Sequence, residues 1–216
     1  MSENQQHTLP AESSAPSQTL PTHPTDAQRP LLTDEQLAHL PAQHPLRAGT
    51  AASSPMLQAL TGRPSSHRPV WFMRQAGRSL PEYRRVREGI PMLEACLTPE
   101  LAAEITVQPV RRHKVDAGIF FSDIVIPMKL AGVNVDIVPG KGPVLDRPVR
   151  TLEDVRALPE LTESALDPIR EAIAATVEML GDTPLIGFAG APFTVAAYMV
   201  EGGPSRDHLR PRTMMH

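Results

Sequence analysis

The stretch DPIREAIAATVEMLGDTPLIGFAG, residues 167–190, predicts a helix followed directly by a buried strand. Asp167 and Pro168 are typical of a helix N-terminus, and Gly181 is typical of the position just past a C-terminus. The apolar run Pro184–Phe188 has the length of a strand buried on both faces. One face of the helix should be apolar, and it consists of Ile169, Ile173, Val177 and Leu180. A helix that leads into a buried strand indicates an α/β fold.

Two earlier apolar runs, Val70–Met73 and Ala117–Phe121, predict further buried strands. Each of the three runs passes into polar or glycine-rich residues at its end. Short apolar runs that alternate with helical segments predict βα units and a parallel sheet. In such folds, and above all in (β/α)₈ barrels, catalytic groups gather at the carboxyl ends of the strands. The residues that follow each run are therefore the candidate site.

The segments between the predicted strands are helical or form turns. Thr98 and Pro99 are typical of a helix start, and Pro109 should kink or end that helix. Its inward stripe should consist of Leu101, Ala102 and Ile105. Residues Val133–Val138, with the turn PGKGP at residues 139–143, look like a hairpin beside the main sheet.

The N-terminal residues differ in composition from the rest. Residues 1–66 contain nine of the 24 prolines and no aromatic residue, so they cannot offset the entropy of ordering. We therefore expect a disordered tail over residues 1–54, with one short helix at Leu31–Leu40, and a folded domain over residues 55–216. A helix that contains Met56, Leu57 and Leu60 should lead into the domain.

Composition excludes several classes of protein. With 216 residues, 41% of them apolar, the chain can bury the core of one domain. A formal charge of −3 gives no broad basic surface, which argues against nucleic acid or an anionic membrane as partner. Cys96 is the one cysteine and no secretory leader opens the chain, so we expect a cytoplasmic protein. No apolar run approaches the roughly 20 residues that cross a bilayer.

Arginines follow the first predicted strand closely. Arg74 comes directly after the apolar run, where a charged side chain is unusual unless it has a partner or a function. Arg78 and Arg87 follow it. Guanidinium groups pair bidentately with carboxylates and phosphates. Arg84 and Arg85 are better interpreted as a solvated helix face. The cluster indicates a ligand that carries several negative charges.

The other two strand ends carry an acid and a glycine-rich turn. Asp123 follows the second predicted strand and is flanked by apolar residues, so burial of its charge would need partners. Taken alone, capping of the next helix is the better interpretation of Asp123. Gly187 and Gly190 follow the third strand and would let a ligand approach the backbone, and Tyr198 lies on the next predicted helix.

Other kinds of catalytic site are poorly supported. Four of the eight histidines lie in the tail, and Cys96 has no neighbouring ligand at zinc spacing. Neither a phosphate-binding loop, nor a dinucleotide fingerprint, nor a hydrolase triad motif is present. The sequence therefore offers no motif for a metal or a nucleotide cofactor.

Four segments, in order, resemble those of uroporphyrinogen decarboxylases. They are RPVWFMRQAGR at residues 68–78 with LPEY at 80–83, FSDI at 121–124, VPGKGP at 138–143, and GFAGAPFT at 187–194 with YMVEGG at 198–203. The resemblance implies a (β/α)₈ barrel that decarboxylates the four acetate side chains of uroporphyrinogen without a cofactor. The substrate carries eight carboxylates, which Arg74, Arg78 and Arg87 would clamp. Arg74 would be the proton donor, and Gln75 would line the pocket.

The resemblance also implies roles for the acid and the tyrosine. Asp123 would lie at the centre of the macrocycle, accept hydrogen bonds from the pyrrole N–H groups and stabilise the cation formed when a pyrrole carbon is protonated. Tyr198 would contact the substrate near the reacting acetate. The family further implies a homodimer.

About three of the eight barrel strands are expected, so the sheet would keep an unpaired edge and the isolated chain should be unstable or aggregate. Two alternatives stay open. An inactive remnant would bind porphyrin or dimerise without turnover. A zinc-dependent methyltransferase of the related barrel superfamily would need a His and Cys ligand set in the missing half, and the RQAGR motif at residues 74–78 argues against it.

Overall fold

The computed structural model describes residues 51, 53–72 and 78–216, with single positions between 35 and 47. Most of the predicted tail over residues 1–54, including most of its Leu31–Leu40 helix, lies outside the described residues; residues 35 and 38 are described and are helical. The same is true of residues 73–77, which contain Arg74 and Gln75.

The described elements alternate between helices and short strands. The helices are α1 (Pro55–Leu60), α2 (Pro81–Val86), α3 (Met92–Leu97), α4 (Pro99–His113), α5 (Ile126–Leu130), α6 (Leu152–Arg156), α7 (Asp167–Leu180), α8 (Pro192–Glu201) and α9 (Leu209–Met214). The strands are β1 (Gly118–Ile119), β2 (Val135–Val138), β3 (Gly142–Leu145) and β4 (Leu185–Ile186). Within the part of the chain that the structure covers, no helix is both long and apolar enough to span a membrane.

Strands β1 and β4 form a parallel pair. Gly118 lies opposite Leu185 and Ile119 opposite Ile186, and the Phe120 N–H donates to the Ile186 carbonyl at 3.0 Å. The chain between the two strands includes α5, α6 and α7, so the connection is the long crossover that parallel strands require. This confirms the α/β class and the strands predicted at residues 117–121 and 184–188, although the regular ladder is shorter than the apolar runs.

The strand predicted at Val70–Met73 is wrong over its described residues, because Val70, Trp71 and Phe72 form no strand and are exposed. Val70 instead exchanges two hydrogen bonds with Asp116. The Val70 carbonyl accepts from the Asp116 N–H at 2.8 Å, and the Val70 N–H donates to Asp116 Oδ2 at 2.7 Å. A side-chain carboxylate thus stands where a neighbouring strand would supply a carbonyl, and no ladder follows.

Helix α4 is the most deeply buried helix of the fold's described part. Ala102 and Ile105 are fully buried, which confirms most of the predicted stripe, and Leu101 packs against the same core. Pro109 does not end the helix, which continues to His113. A proline inside a helix removes one N–H donor and crowds the preceding turn. Pro109 is itself fully buried, so its packing offsets part of that cost.

Helix α7 has the predicted bounds, and Gly181 ends it at a φ of 58°. Its buried face differs from the predicted one. Ile173 is 40% exposed, whereas Ala172, Thr176 and Leu180 are buried. Small residues at two of these positions let α7 approach α4, its main neighbour, closely.

Both of these helices pack on β1. A Cβ atom at Gly118 would lie 3.2 Å from Leu180 Cδ1 and 3.5 Å from Val110 Cγ2. A glycine at this strand position therefore lets α7 and α4 meet over the strand.

The predicted hairpin is confirmed. Strands β2 and β3 are antiparallel, with Val135 opposite Leu145 and Val138 opposite Gly142. Two backbone hydrogen bonds tie this unit to α8, from Leu145 to the Gly202 carbonyl at 3.0 Å and from Val149 to the Met199 carbonyl at 2.9 Å. The hairpin therefore lies beside the end of α8.

Candidate active site

The loops that follow β1 and β4 lie side by side, because the carboxyl ends of parallel strands point to the same edge of the sheet. A Cβ atom at Gly190 would lie 3.0 Å from Ile124 Cβ and 2.6 Å from Val195 Cγ2. Glycine is thus required for the close approach of the two loops. The residues next to Asp123 and those of the glycine-rich turn form one surface, as the sequence predicts for strand ends.

Asp123 lies in the turn between β1 and α5 and is partly buried. Its Oδ1 accepts the Val125 N–H at 3.1 Å, and its carbonyl accepts the Ile126 N–H at 3.1 Å. The carboxylate therefore stabilises the turn that leads into α5, whose N-cap position is occupied by Val125. This arrangement agrees with the interpretation of Asp123 as a capping residue. The second carboxylate oxygen has no hydrogen-bond partner among the described residues.

Arg87 is anchored by the chain that follows it. Its Nη1 donates to the Ile90 and Pro91 carbonyls, both at 2.7 Å, and its guanidinium carbon lies 6.0 Å from the centre of the Tyr83 ring. Its Nε is buried without a partner among the described residues. The Tyr83 ring in turn meets the Phe121 ring edge to face at 6.3 Å. Arg87 therefore lies beside Tyr83, which packs on Phe121, two residues before Asp123.

The charges of Asp123 and Arg87 both act on the Cys96 thiol. Burial, and after it the nearby Asp123 carboxylate, raise the pKa of the Cys96 thiol from its ordinary 9.0 to about 12, while Arg87 acts in the opposite direction. The thiol is fully buried and stays protonated at neutral pH. The structure thus brings Arg87 and Asp123, which are predicted site residues, to the same neighbourhood. No pattern in the sequence connects Cys96 with them.

The other predicted site residues have different surroundings. Arg78 is exposed, as are Arg84 and Arg85, for which a solvated face was the favoured interpretation. Tyr198 is partly buried in α8 and packs against the main core, three residues after Val195. Arg74 and Gln75 lie outside the described residues, so their positions stay a prediction.

One buried hydrogen bond at the site has no counterpart in the sequence analysis. The Phe121 N–H donates to Thr106 Oγ1 of α4 at 2.9 Å. A threonine within an apolar helix carries no signal of such a contact, because its partner is distant in the sequence.

Metal binding finds no support in the described ranges, where no group of three or more His, Cys, Asp or Glu side chains could hold an ion. The arrangement places the Asp123 carboxylate and the Arg87 guanidinium near the carboxyl ends of two parallel strands. Such a surface suits a ligand with both N–H donors and carboxylates.

Sequence comparisons identify relatives of this chain. The profile of the family described as "Uroporphyrinogen decarboxylase (URO-D)" matches residues 51–216. A protein named uroporphyrinogen decarboxylase from Arthrobacter sp. (strain FB24) is 74% identical over 168 residues, which cover 78% of this chain and 49% of that protein. One of the same name from Saccharopolyspora erythraea is 62% identical over 165 residues, covering 76% and 46%. The chain spans about half the length of the curated relatives it matches.

A solved structure has a similar fold. The likeness is to a methyltransferase from Methanosarcina mazei, with a TM-score of 0.51 and 22% sequence identity, and it covers 70% of this chain and 45% of that one. At this identity the likeness concerns the fold alone. It agrees with an α/β chain that forms part of a barrel.

Proposed function

The chain belongs to the uroporphyrinogen decarboxylase family, and on this premise we propose that the protein converts uroporphyrinogen III to coproporphyrinogen III in haem and porphyrin biosynthesis. The match over residues 51–216 carries this proposal, together with relatives of that name at 60–74% identity. In each of four rounds an acetate side chain loses carbon dioxide and becomes a methyl group. One proton enters for each carbon dioxide that leaves.

The chemistry needs a stabilised cation and a source of protons. Protonation of a pyrrole carbon places positive charge on the ring, and the C–C bond to the departing carboxylate then breaks. We assign the stabilisation of that cation to Asp123; its place after β1 supports the role, as does its second oxygen, which has no hydrogen-bond partner among the described residues. Arg74 is the proposed proton donor, and the macrocycle's N–H groups would donate to the Asp123 carboxylate.

The remaining assignments concern binding. Arg74, Arg78 and Arg87 would pair with the carboxylates of the substrate, and Gln75 would line the same pocket. Arg87 would act from the position fixed by its two backbone carbonyls. Tyr198 would contact the substrate near the reacting acetate. No metal or organic cofactor enters this scheme.

The cellular setting is part of the same proposal. The family resemblance favours a homodimer in the cytoplasm, with the tetrapyrrole as partner and neither nucleic acid nor membrane. Sedimentation of the full-length protein, meaning this chain extended to the length of its relatives, should give twice the protomer mass. A monomer at micromolar concentration would contradict the dimer.

The experiment that tests the proposed activity is decarboxylation of enzymatically generated uroporphyrinogen under anaerobic, reducing conditions. Chromatography of the oxidised products would follow the porphyrins with seven, six, five and four carboxylates. The full-length protein should form coproporphyrinogen, and its Asp123→Ala variant should not. Substrate binding without turnover by the full-length protein would instead support the inactive, porphyrin-binding alternative.

The 216-residue chain is a second sample in the same assay. Because the proposed site draws on a whole barrel, we expect it to be inactive. Turnover by this chain alone would refute the expectation that further strands are needed.

A further inference from the structure

The buried hydroxyl of Thr106 joins helix α4 to the residues that directly follow β1. Thr106 is 1% exposed and Phe121, its partner, is 4% exposed, so water does not compete for this contact. Thr106 Oγ1 donates to the Ala102 carbonyl at 2.7 Å and accepts the Phe121 N–H at 2.9 Å. The one hydroxyl hydrogen is used on Ala102, so the oxygen lone pairs are left facing the Phe121 N–H.

This bond anchors the backbone just beyond the last hydrogen bond of the sheet. The Phe120 N–H donates to the Ile186 carbonyl of β4 at 3.0 Å, and the next N–H along the chain, that of Phe121, goes to Thr106. Successive amides of an extended chain point to opposite sides. The chain is therefore held on both sides just before Ser122 and Asp123.

The turn that follows has little other support from the backbone. Asp123 is held by contacts within the turn itself, to the N–H groups of Val125 and Ile126. Such local bonds fix the shape of the turn but not its place relative to the sheet. The bonds from Phe120 to Ile186 and from Phe121 to Thr106 set that place, and the second of them joins it to α4.

We propose that Thr106 is a positioning residue, which sets where the Asp123 carboxylate stands at the strand ends. The inference rests on the proposed function, because it assigns Thr106 a part in catalysis only through Asp123. Thr106 itself lies in the core and touches no substrate.

Thr176 of α7 provides a matched control. It is fully buried, and its hydroxyl donates to the Ala172 carbonyl at 2.6 Å, just as that of Thr106 donates one turn back. No backbone N–H of the described residues is recorded as donating to Thr176. Replacement of each threonine by valine keeps the shape and removes the hydroxyl. The two variants therefore differ in the Phe121 contact.

The test compares Thr106→Val, Thr106→Ser and Thr176→Val in the full-length protein by steady-state kinetics. We expect Thr106→Val to lower kcat by about tenfold or more with KM within about twofold of wild type, because a small displacement of a catalytic group is enough for such a loss. Thr106→Ser should recover most of kcat, since it restores the acceptor. Thr176→Val should keep the kcat of wild type.

A double-variant cycle separates positioning from a general loss of stability. In an Asp123→Glu background, whose carboxylate is already displaced, Thr106→Val should lower kcat much less than it does in wild type. Equal kcat for Thr106→Val and Thr176→Val, or the full loss in both backgrounds, would overturn the positioning role. Should Thr106→Val fail to fold, a tenfold loss in Thr106→Ser with normal folding would overturn it as well.

The outcomes also distinguish this inference from the proposed function. If Asp123→Ala abolishes turnover while Thr106→Val behaves as wild type, the positioning role fails and the proposed function stands. If Asp123→Ala turns over as wild type does, both fail.

Discussion

Two regions of the molecule are stabilised by different forces. In the α4–β1 region, residues 99–119, apolar side chains such as Ile105 and Val107 are almost fully buried. In the α6 region, residues 150–156, no residue is buried. There Thr151 and Asp154 form a reciprocal capping box, and Arg147 pairs with Asp154 at 3.0 Å on the surface.

The difference shows which part of the chain can hold a site in place. Close-packed interiors transmit small changes, whereas exposed ion pairs contribute little to stability. Burial against α4 and the hydrogen bond between Phe121 and Thr106 fix the position of the end of β1. Helix α6, which has no buried residue, can vary more freely.

The largest expected effect is that of a cavity in the α4–β1 region. Ile105→Ala should lower the free energy of unfolding by about 2–5 kcal/mol, because Ile105 is fully buried. Val155→Ala in α6, where the side chain is 49% exposed, is the control and should change it by less than about 0.5 kcal/mol. Urea unfolding of the full-length variants measures both. Equal effects would remove the contrast between the two regions.

A smaller effect should follow from an added methyl group where the two strand-end loops meet. Gly190→Ala places a Cβ 2.6 Å from Val195 Cγ2 and 3.0 Å from Ile124 Cβ, so it should destabilise the protein by about 1–3 kcal/mol. It should also lower decarboxylation, because Ile124 adjoins Asp123. Gly187→Ala is the matched control for stability alone, since its added Cβ would meet nothing within 4 Å.

Thermal unfolding and the decarboxylation assay, applied to both glycine variants, test this contact. A Gly190→Ala protein with wild-type stability and activity would show that the loops do not approach as closely as described.

The smallest effect concerns pH and the buried thiol. The pKa of Cys96 is raised from its ordinary 9.0 to about 12, so the unfolded chain loses this proton first as the pH rises. The thiol's contribution is present in full below pH 9 and is lost between pH 9 and 12, with a loss of about 1 kcal/mol at pH 10. Urea unfolding at pH 8 and 10 of wild type and Cys96→Ala isolates this loss.

The Cys96→Ala variant should lack that part of the alkaline decline, because it has no thiol to titrate. Parallel declines in the two proteins would contradict the raised pKa. Alkylation gives an independent check, since the native thiol should react far more slowly than the unfolded one at pH 8.

Much of the fold could be predicted because local patterns encode it. The α/β class, the bounds of α7, the glycine that ends it and the hairpin all follow from residues within a few positions of one another. The strand at residues 70–72 could not, because an apolar run predicts a strand only if a partner strand lies beside it. At Val70 the partner is the side chain of Asp116. Ile173 was assigned to the wrong face because small residues, not large ones, line the α4 contact.

The candidate site could be predicted in part. Asp123 and the glycine-rich turn are candidates because functional groups gather at strand ends, and the parallel register of β1 and β4 places their loops together; their roles stay a prediction. The Phe121 bond to Thr106 and the closeness of Cys96 to Asp123 join residues far apart in the sequence. A single sequence does not encode such pairs in any local pattern.

The central claim is that the site lies at the end of β1 and depends on Asp123, and the most direct test is the kcat of two matched variants of the full-length protein. Asp123→Asn removes the charge at the strand end, and Asp146→Asn removes an exposed one beside the hairpin. We predict that Asp123→Asn lowers coproporphyrinogen formation by about a hundredfold or more, whereas Asp146→Asn keeps wild-type turnover. Wild-type turnover by a correctly folded Asp123→Asn variant would show that the site does not depend on this carboxylate.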